Sequence, residues 1–559
     1  MREFFIQEQV LLRILKKKLN PALYEYAVRE LEKFYDKCYR EFDIRAVHTD
    51  REGQPKLIKY NKLGEEVSEI WVNEGYKKTV ADTYNTGIVG YVHKEIPELG
   101  QKGNYLYSYA QGYLLSQVEP GFYCPVTLTM AVAYLIDHYA DDELKARFLP
   151  HVLSTGEVEL YEGATFLTER QGGSDVGANE VRAIRESDHF RIYGEKYFAS
   201  NAGQCGVAAV LARIDGNGPG TKGLSLFLVP WRKENGSLNH IQVRRLKDKL
   251  GVRAVPSAEI EFDGAKAYLV GDEKKGFYYM MEALNLSRVC NAIASLGIMK
   301  RALKESVEYA DWRSAFGNPI IQYPMVQETL ATLQARYEVE LSALFEAIEL
   351  FDYVMQNPEM ATEEQIALNR LYIALLKART ADEAIAFTHT AIETHGGNGY
   401  IEDFVTPRLL RDAQVLTVWE GTANILGLEV LRLIKKYRVD NIFLKQIGGK
   451  LEKLSFENGR LAIIQERLTK LKRMLVVLAT ADEPVLTYHA KRLASEMTNL
   501  LLTVHAIERV ENDRDEVIAK IFIDHIYVDH GLDQEMLPHK HFFEIVREVK
   551  EILYKVNNH

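Results

Sequence analysis

The sequence predicts an α+β protein in four parts: an N-terminal helical domain, a middle antiparallel β domain, a helical bundle and a helical C-terminal extension. Three observations carry this. Apolar residues recur at helix spacing from Met1 to about Val158. Between about Thr165 and Val270 the pattern changes to short β-branched runs parted by turns. Helical spacing then returns from about Gly276 and continues beyond Val439. The expected domains are residues 1–162, 163–275, 276–438 and 439–559.

In the first part, Leu11, Leu12, Ile14 and Leu15 fall on one helix face, as do Tyr24, Ala27, Leu31, Phe34 and Tyr35. Thr49 to Leu63, rich in Gly, Lys and Asp, reads as a loop. Helices are predicted at Tyr109–Ser116 and Thr127–Tyr139, and Asp141–Leu149 is expected to stop at Pro150. The β part is read from Val181–Ile184, Phe190–Tyr193, Val207–Ile214, Leu224–Val229, Ile241–Val243 and Ala258–Phe262. Turns at Gly216–Gly218 and Asp263–Gly264 divide them, so a small antiparallel sandwich or barrel is expected. In the third part Val289, Ile293, Leu296 and Met299 make one face, and Leu371, Leu375, Ala378 and Asp382 another. Long segments with short connectors read as an antiparallel bundle. The extension is helical, with breaks near Asp482–Pro484 and Gly531.

Composition narrows the function classes. The chain has 559 residues, 47% hydrophobic and 26% charged, with a formal charge of −10. That acidity argues against wholesale wrapping of nucleic acid. Cys38, Cys124, Cys205 and Cys290 form no close pair, so neither a zinc site nor a disulfide framework is signalled. No metal is expected. No stretch reaches 18 uninterrupted apolar residues, and the N-terminus lacks the continuous apolar segment of a signal peptide. A cytoplasmic protein with no membrane span is the expectation.

Four motifs carry candidate chemistry, and each also has a plain structural reading. Leu167-Thr-Glu-Arg-Gln-Gly-Gly-Ser-Asp-Val176 could hold the polar edge of a flat heterocycle through backbone N–H groups, Thr168 and Ser174. Taken alone, it reads first as a tight turn between helix and strand. Tyr197-Phe-Ala-Ser-Asn201 could stack an aromatic on a ring and bond its edge, or be a core Phe beside a turn. Glu393-Thr-His-Gly-Gly-Asn-Gly399 follows a helix and reads either as its C-cap or as a glycine-lined wall against a cofactor. Val418-Trp-Glu-Gly-Thr-Ala-Asn424 sets a carboxylate between an aromatic and a glycine. Thr422 or Asn424 could cap the helix Ile425–Lys435, and the Glu could simply favour the helix dipole.

Order and spacing say more than any one motif. The blocks LTERQGGSDV, GEKYFASN, RLKDKLGVR, Ser287-Arg288, WRSAFGNPI, ETHGGNGY, LLRDAQ and VWEGTANI, from about Arg147 to Lys436, together resemble the acyl-CoA dehydrogenase family. Within it, Gln171-Gly-Gly-Ser-Asp, Arg245–Gly251, Trp419-Glu-Gly and the C-terminal extension resemble the AidB-type subgroup. Arg170 stands where the family usually has Pro, and Phe198 where it has Trp, as in that subgroup. Pro324 stands where a Gln is common.

The resemblance implies the family fold and FAD lying between the β domain and the bundle. Leu167, Thr168 and Ser174 would contact the isoalloxazine region, with Phe198 and Ser200 stacking on it and bonding it. Arg313 and Phe316, from a neighbouring subunit, would meet the pyrophosphate and adenine side. Glu393 and Gly397 would line the dinucleotide path, and Thr422 and Asn424 the adenosine part. Arg288 is the family's arginine beside the active site. With Trp419 and Ser174 it is assigned to substrate. Glu420 matches the catalytic base of most members; the alternative position, on an earlier helix, is Ser287, which cannot serve. Burial beside an acyl tail should raise the Glu420 pKa. The reaction implied is α,β-desaturation of an acyl-CoA, with hydride passing to flavin N5 and electrons onward to an electron-transfer flavoprotein. A homotetramer, a dimer of dimers, is also implied.

Two other readings stay open. AidB-type proteins also bind DNA, so the alternative is an AidB-like flavoprotein with a DNA-binding or protective role and weak dehydrogenase activity. Here Lys445, Lys450, Lys453, Arg460, Arg467, Lys470, Lys472 and Arg473 form the one basic stretch of the extension, which also reads as a solvated helix face. The third reading is a flavin oxidase or monooxygenase on the same fold.

Overall fold

The computed structural model describes residues 3–528 and 535–547. The chain divides into two compact units, Glu25–Cys290 and Met1–Tyr24 with Asn291–His559, and the division falls inside one long helix, Gly276–Trp312.

In Glu25–Cys290 the predicted helices form, and those expected from Tyr109 and Thr127 start earlier. Tyr105–Ser116 begins where the Asn104 side chain accepts the Tyr107 N–H at 3.0 Å, and all of its residues are buried. A helix buried on every side carries no one-sided stripe to mark its start. Pro120–Tyr139 opens on a proline, whose missing N–H needs no partner in a first turn. The next helix spans Asp142–Val152 and does not stop at Pro150. Pro150 removes one N–H, but Leu153 N–H still reaches the Leu149 carbonyl at 2.9 Å and closes the last turn.

The stretch expected as a loop near Thr49–Leu63 holds a strand instead. Lys56–Tyr60 pairs with Glu66–Trp71, and Asn61 Oδ1 accepts the Leu63 and Glu65 N–H groups across the turn. Ile70 of this hairpin is buried in the core of the β domain, the burial that stabilises a stretch whose own sequence looks polar.

The β domain has seven strands: β1 (Glu162–Phe166), β2 (Arg182–Arg185), β3 (Phe190–Ser200), β4 (Cys205–Ile214), β5 (Leu224–Pro230), β6 (Ile241–Leu246) and β7 (Ser257–Leu269). The ring β7-β3-β2-β4-β5 closes on itself, with β6 beside β7 and β1 beside β4. Irregularities between Ala258 and Ile260 and between Asp263 and Ala265 break the β7–β3 register. The start of β7 pairs with β3 and β6, and its end with β5. The expected all-antiparallel sheet needs one correction: β4 runs parallel to β1 and to β2. Residues 167–204 separate β1 from β4, a crossover long enough for parallel pairing. A helix abuts β1 at Gly163, where a Cβ would come within 2.8 Å of Thr129 Cα.

In the other unit, the part of α1 (Gly276–Trp312) from Asn291 onward is followed by α2 (Pro324–Gln356), α3 (Glu363–His395), α4 (Thr406–Leu416) and α5 (Ala423–Tyr437). Thr362 and Gln365 form a capping box that starts α3. α3 packs against α2, α4 and α5. The extension continues as α6 (Val439–Leu451), α7 (Asn458–Leu478), α8 (Glu483–Glu508) and α9 (Asp513–Tyr527). The break at Asp482–Pro484 is the start of α8, where Asp482 Oδ1 accepts the Val485 N–H. The break expected near Gly531 lies outside the described residues.

Bundle and extension share one core. Leu371 and Leu375 of α3, Leu426 and Leu433 of α5, Phe443 of α6, Leu471 of α7 and Met497 of α8 belong to a single buried cluster. A fully buried carboxylate ties the same parts together. Glu338 of α2 receives Arg514 at 2.6 Å, Arg509 at 3.0 Å and, at 3.8 Å, Arg13 of the helix Gln9–Lys18. Burial alone would raise its pKa; the arginines overcome that and hold it at about 2. In the basic stretch, Lys450, Arg460 and Lys470 pair with Glu508, Asp524 and Glu496. Among the described residues no helix is long and apolar enough to cross a membrane.

One buried acid makes stability depend on pH. Glu162 of β1 is buried beside the Tyr84 hydroxyl, at 3.2 Å. Burial raises its carboxyl from 4.5 to about 8, against the lowering effect of its hydrogen bonds. Above pH 4.5 the unfolded chain gives up a proton that the folded chain keeps. Stability is therefore lost progressively up to about pH 8. Glu162→Gln removes that dependence. Its Tm, relative to the parent by scanning calorimetry, should rise by several degrees between pH 5 and pH 9; a constant difference would refute a neutral Glu162.

Candidate active site

Each unit carries a group of the expected site residues. In the β domain, Leu167–Asp175 leaves β1 as a loop held from behind by buried polar groups. Lys196 of β3, with no exposed surface, donates to Glu169 Oε1 at 2.8 Å and to the Leu167 carbonyl at 3.2 Å. The Glu169 carboxylate accepts the Glu180 N–H at 2.6 Å. Asn179 Nδ2 also donates to the Leu167 carbonyl, at 2.8 Å. Burying an ion pair is stable only where such bonds satisfy it. Desolvation lowers the Lys196 pKa, and Glu169 opposes it.

This bracing fixes the loop backbone and leaves its outer groups exposed. Thr168 O accepts the Tyr197 N–H at 3.0 Å, which joins the loop to the end of β3 where Phe198 and Ser200 stand. Phe198 is 53% exposed, and Ser200 Oγ lies 3.1 Å from Ser257 Oγ. Lys247 Nζ sits 3.3 Å from the centroid of the Tyr197 ring and 4.7 Å from that of Phe198, a cation–π contact behind the exposed aromatic. Ser174 is exposed, and a Cβ on Gly173 would come within 2.7 Å of Thr168 Oγ1. Arg288 is buried and donates to Asn285 Oδ1 at 3.0 Å.

In the bundle the residues fall into two groups. The first surrounds the C-terminal end of α1. Arg313 is exposed and leads into a two-stranded hairpin, Ser314–Ala315 with Asn318–Pro319. At its tip Phe316 is 97% exposed and holds φ +51°, followed by Gly317 at +92°. A bulky residue in that left-handed region is strained, by on the order of 1–3 kcal/mol. One turn before Arg313, Tyr309 stacks on His395 at 4.2 Å and receives a hydrogen bond from Asn398. This packing places the Gly396–Tyr400 turn beside the end of α1. Gly396 is the C-cap of α3 at φ +59°, as expected. A Cβ on Gly396 or Gly397 would meet no atom within 4 Å. Glu393 is exposed, with His389 3.5 Å away.

The second group follows the other end of α4, about 16 Å of helix further on. Thr417 to Gly421 make a turn in which Glu420 has φ +59° and Gly421 +102°. Glu420 is half-buried and its Oε2 is inaccessible to solvent. Thr422 occupies the N-cap position of α5, but its side chain makes no capping bond, contrary to one reading of the sequence. Thr422 and Asn424 are exposed.

Sequence reasoning missed the residues that hold these segments. Lys196 and Asn179 brace the loop. Lys377 of α3, only 1% exposed, donates to the Gly421 carbonyl at 2.8 Å. Asn291 of α1 donates to the Leu416 carbonyl at 3.2 Å. A lysine closing the buried run Leu371–Leu376 was the one visible signal.

The exposed groups suit FAD: hydroxyl donors and an aromatic face on the β domain, an arginine and open glycine backbone on the bundle.

Three family models match the chain. The family model for the AidB N-terminal domain matches residues 12–156. The acyl-CoA dehydrogenase middle domain matches 164–265, and the C-terminal domain 274–434. Acyl-CoA dehydrogenase family member 11 of Caenorhabditis elegans is 32% identical over 540 residues, 95% of this chain and 84% of that protein. The putative acyl-CoA dehydrogenase AidB of Escherichia coli is 30% identical over 391 residues, 68% of this chain and 69% of that one. The crystal structure of the C. elegans ACDH-11 protein in complex with C11-CoA superposes with a TM-score of 0.86 at 27% identity, covering 99% of this chain and 95% of that one. The chain belongs to the acyl-CoA dehydrogenase family of oxidoreductases, in its AidB-like branch.

Proposed function

We propose that this oxidoreductase desaturates an acyl-CoA thioester between Cα and Cβ, with Glu420 as the base and FAD as its cofactor. One observation carries the reading. The carboxylate that the family motif nominates stands on a strained left-handed turn, with one oxygen withdrawn from solvent. Such strain persists only where surrounding structure imposes it, and it aims a side chain that a relaxed turn would leave free. The C. elegans relative with bound C11-CoA supports a CoA thioester as substrate.

A thioester α-proton is far too weakly acidic for a carboxylate in water. Negative charge developing on the thioester oxygen needs preorganised donors; by family resemblance the Glu420 N–H is one. The N-terminal end of α5, two residues on, adds a favourable dipole for negative charge. Glu420 takes the α-proton on its carboxylate. FAD, when bound, would supply the two-electron acceptor for the hydride that leaves Cβ. Leu167, Thr168, Ser174, Phe198 and Ser200 would hold its flavin end; Thr422, Asn424, Glu393 and Gly397 would hold the dinucleotide. Ser174, Arg288 and Trp419 would orient the substrate. Arg313 and Phe316 would serve a neighbouring copy in a homo-oligomer, a role supported by the fully exposed hairpin tip. Electrons would leave to an electron-transfer flavoprotein.

Glu420→Gln should retain FAD, by its visible spectrum, and slow anaerobic bleaching by acyl-CoAs at least a thousandfold. Bleaching at the parent rate would remove Glu420 as the base. Phe316→Asp should weaken FAD retention about tenfold and shift the mass by light scattering toward smaller assemblies. An unchanged mass and unchanged FAD content would dismiss the hairpin as an intersubunit element.

A further inference from the structure

The turn that carries Glu420 is tied at both ends by side chains of other helices. Asn291 of α1 holds the Leu416 carbonyl where α4 ends, and Lys377 of α3 holds the Gly421 carbonyl where α5 is about to begin. The two ties differ in kind. An amide is enough to satisfy a carbonyl. An ammonium withdrawn from water carries a desolvation penalty that its hydrogen bonds must offset. A methionine would fill the same space in α3 without it. α3 packs against both α4 and α5, so Lys377 meets the turn from the helix that supports its two flanks.

The carbonyl it holds has a specific lever. Gly421 at φ +102° follows Glu420 at φ +59°, so two successive left-handed residues set the direction of the side chain. Gly421 adopts that conformation freely and Glu420 does not. Relaxing the Gly421–Thr422 peptide would let Glu420 return to a common conformation and swing its carboxyl away. We propose that Lys377 is a positioning residue for Glu420. Its buried ammonium, bonded to the Gly421 carbonyl, holds the left-handed turn and so the carboxyl in its working orientation. This rests on Glu420 being the base.

The test compares the full-length FAD-loaded protein with Lys377→Met and with Glu420→Gln as control. Lys377→Met should keep FAD and bind acyl-CoA within threefold of the parent, while the bleaching rate constant falls at least fiftyfold. Hydrogen–deuterium exchange of peptides covering residues 417–424 should quicken at least tenfold, with α3 and α5 unchanged. Parent-like bleaching overturns the proposal. So does slow bleaching without faster exchange at 417–424, or a loss of rate that only tracks lost FAD. If Lys377→Met does not fold, Lys377→Gln is measured in the same way. Faster exchange with slower bleaching supports the proposal, and any other combination overturns it. Should Glu420→Gln bleach at the parent rate, the base assignment fails first, whatever Lys377 does.

Discussion

A glutamate held at φ +59° is the constraint around which the bundle is organised. The strain there, on the order of 1–3 kcal/mol, must be met by contacts that a relaxed turn would forgo. Those contacts come from helices remote in sequence. α1 supplies Asn291, α3 supplies Lys377, and α4 and α5 supply the fixed ends between which the turn is stretched. Any shift of α3 along its axis would move the donor away from Gly421. The packing of α3 is thereby joined to the direction of one carboxylate.

The same device recurs in the β domain. Lys196 donates to the Leu167 carbonyl from a fully buried position, and Lys249 donates to the carbonyls of Val252 and Val255. In each case a cation reaches main-chain oxygen and the chain nearby carries candidate ligand contacts or an unusual backbone, such as Val252 at φ +46°. A hydrogen bond from a charged donor is stronger than one between neutral groups and harder to break in a low dielectric. It suits loops that present groups outward and have no helix or sheet ladder of their own to stiffen them.

The extension gains its place by the same economy of contacts. Its helices carry apolar residues that join Leu371 and Leu375 of α3 in one cluster, so the outer face of the helix that bears Lys377 is covered by α6 and α8. Glu338, gripped by Arg509 and Arg514 and approached by Arg13, anchors the N-terminal helix and the extension to α2. Three cations of the basic stretch are spent on acidic partners inside the extension.

Much of this was legible from residue order. The change of period near Thr165 and its return near Gly276 marked the β domain, because pleat and helix repeat at different intervals. Motif blocks at the right spacing nominated Glu420, Phe198 and the 167–176 loop. Less legible were elements whose partners lie far along the chain. The hairpin Lys56–Trp71 packs Ile70 and Leu57 on a distant core, and β4 runs parallel to β1 across the crossover of residues 167–204. What the sequence by itself determined is the family motifs in their order and which faces are apolar, since both are properties of residue type and local spacing. Only the tertiary structure decided that Glu420 stands in a left-handed turn, that Lys377 holds the backbone beside it, and that Lys196 holds the loop after β1. Those facts depend on contacts between residues tens of positions apart, which no local pattern encodes.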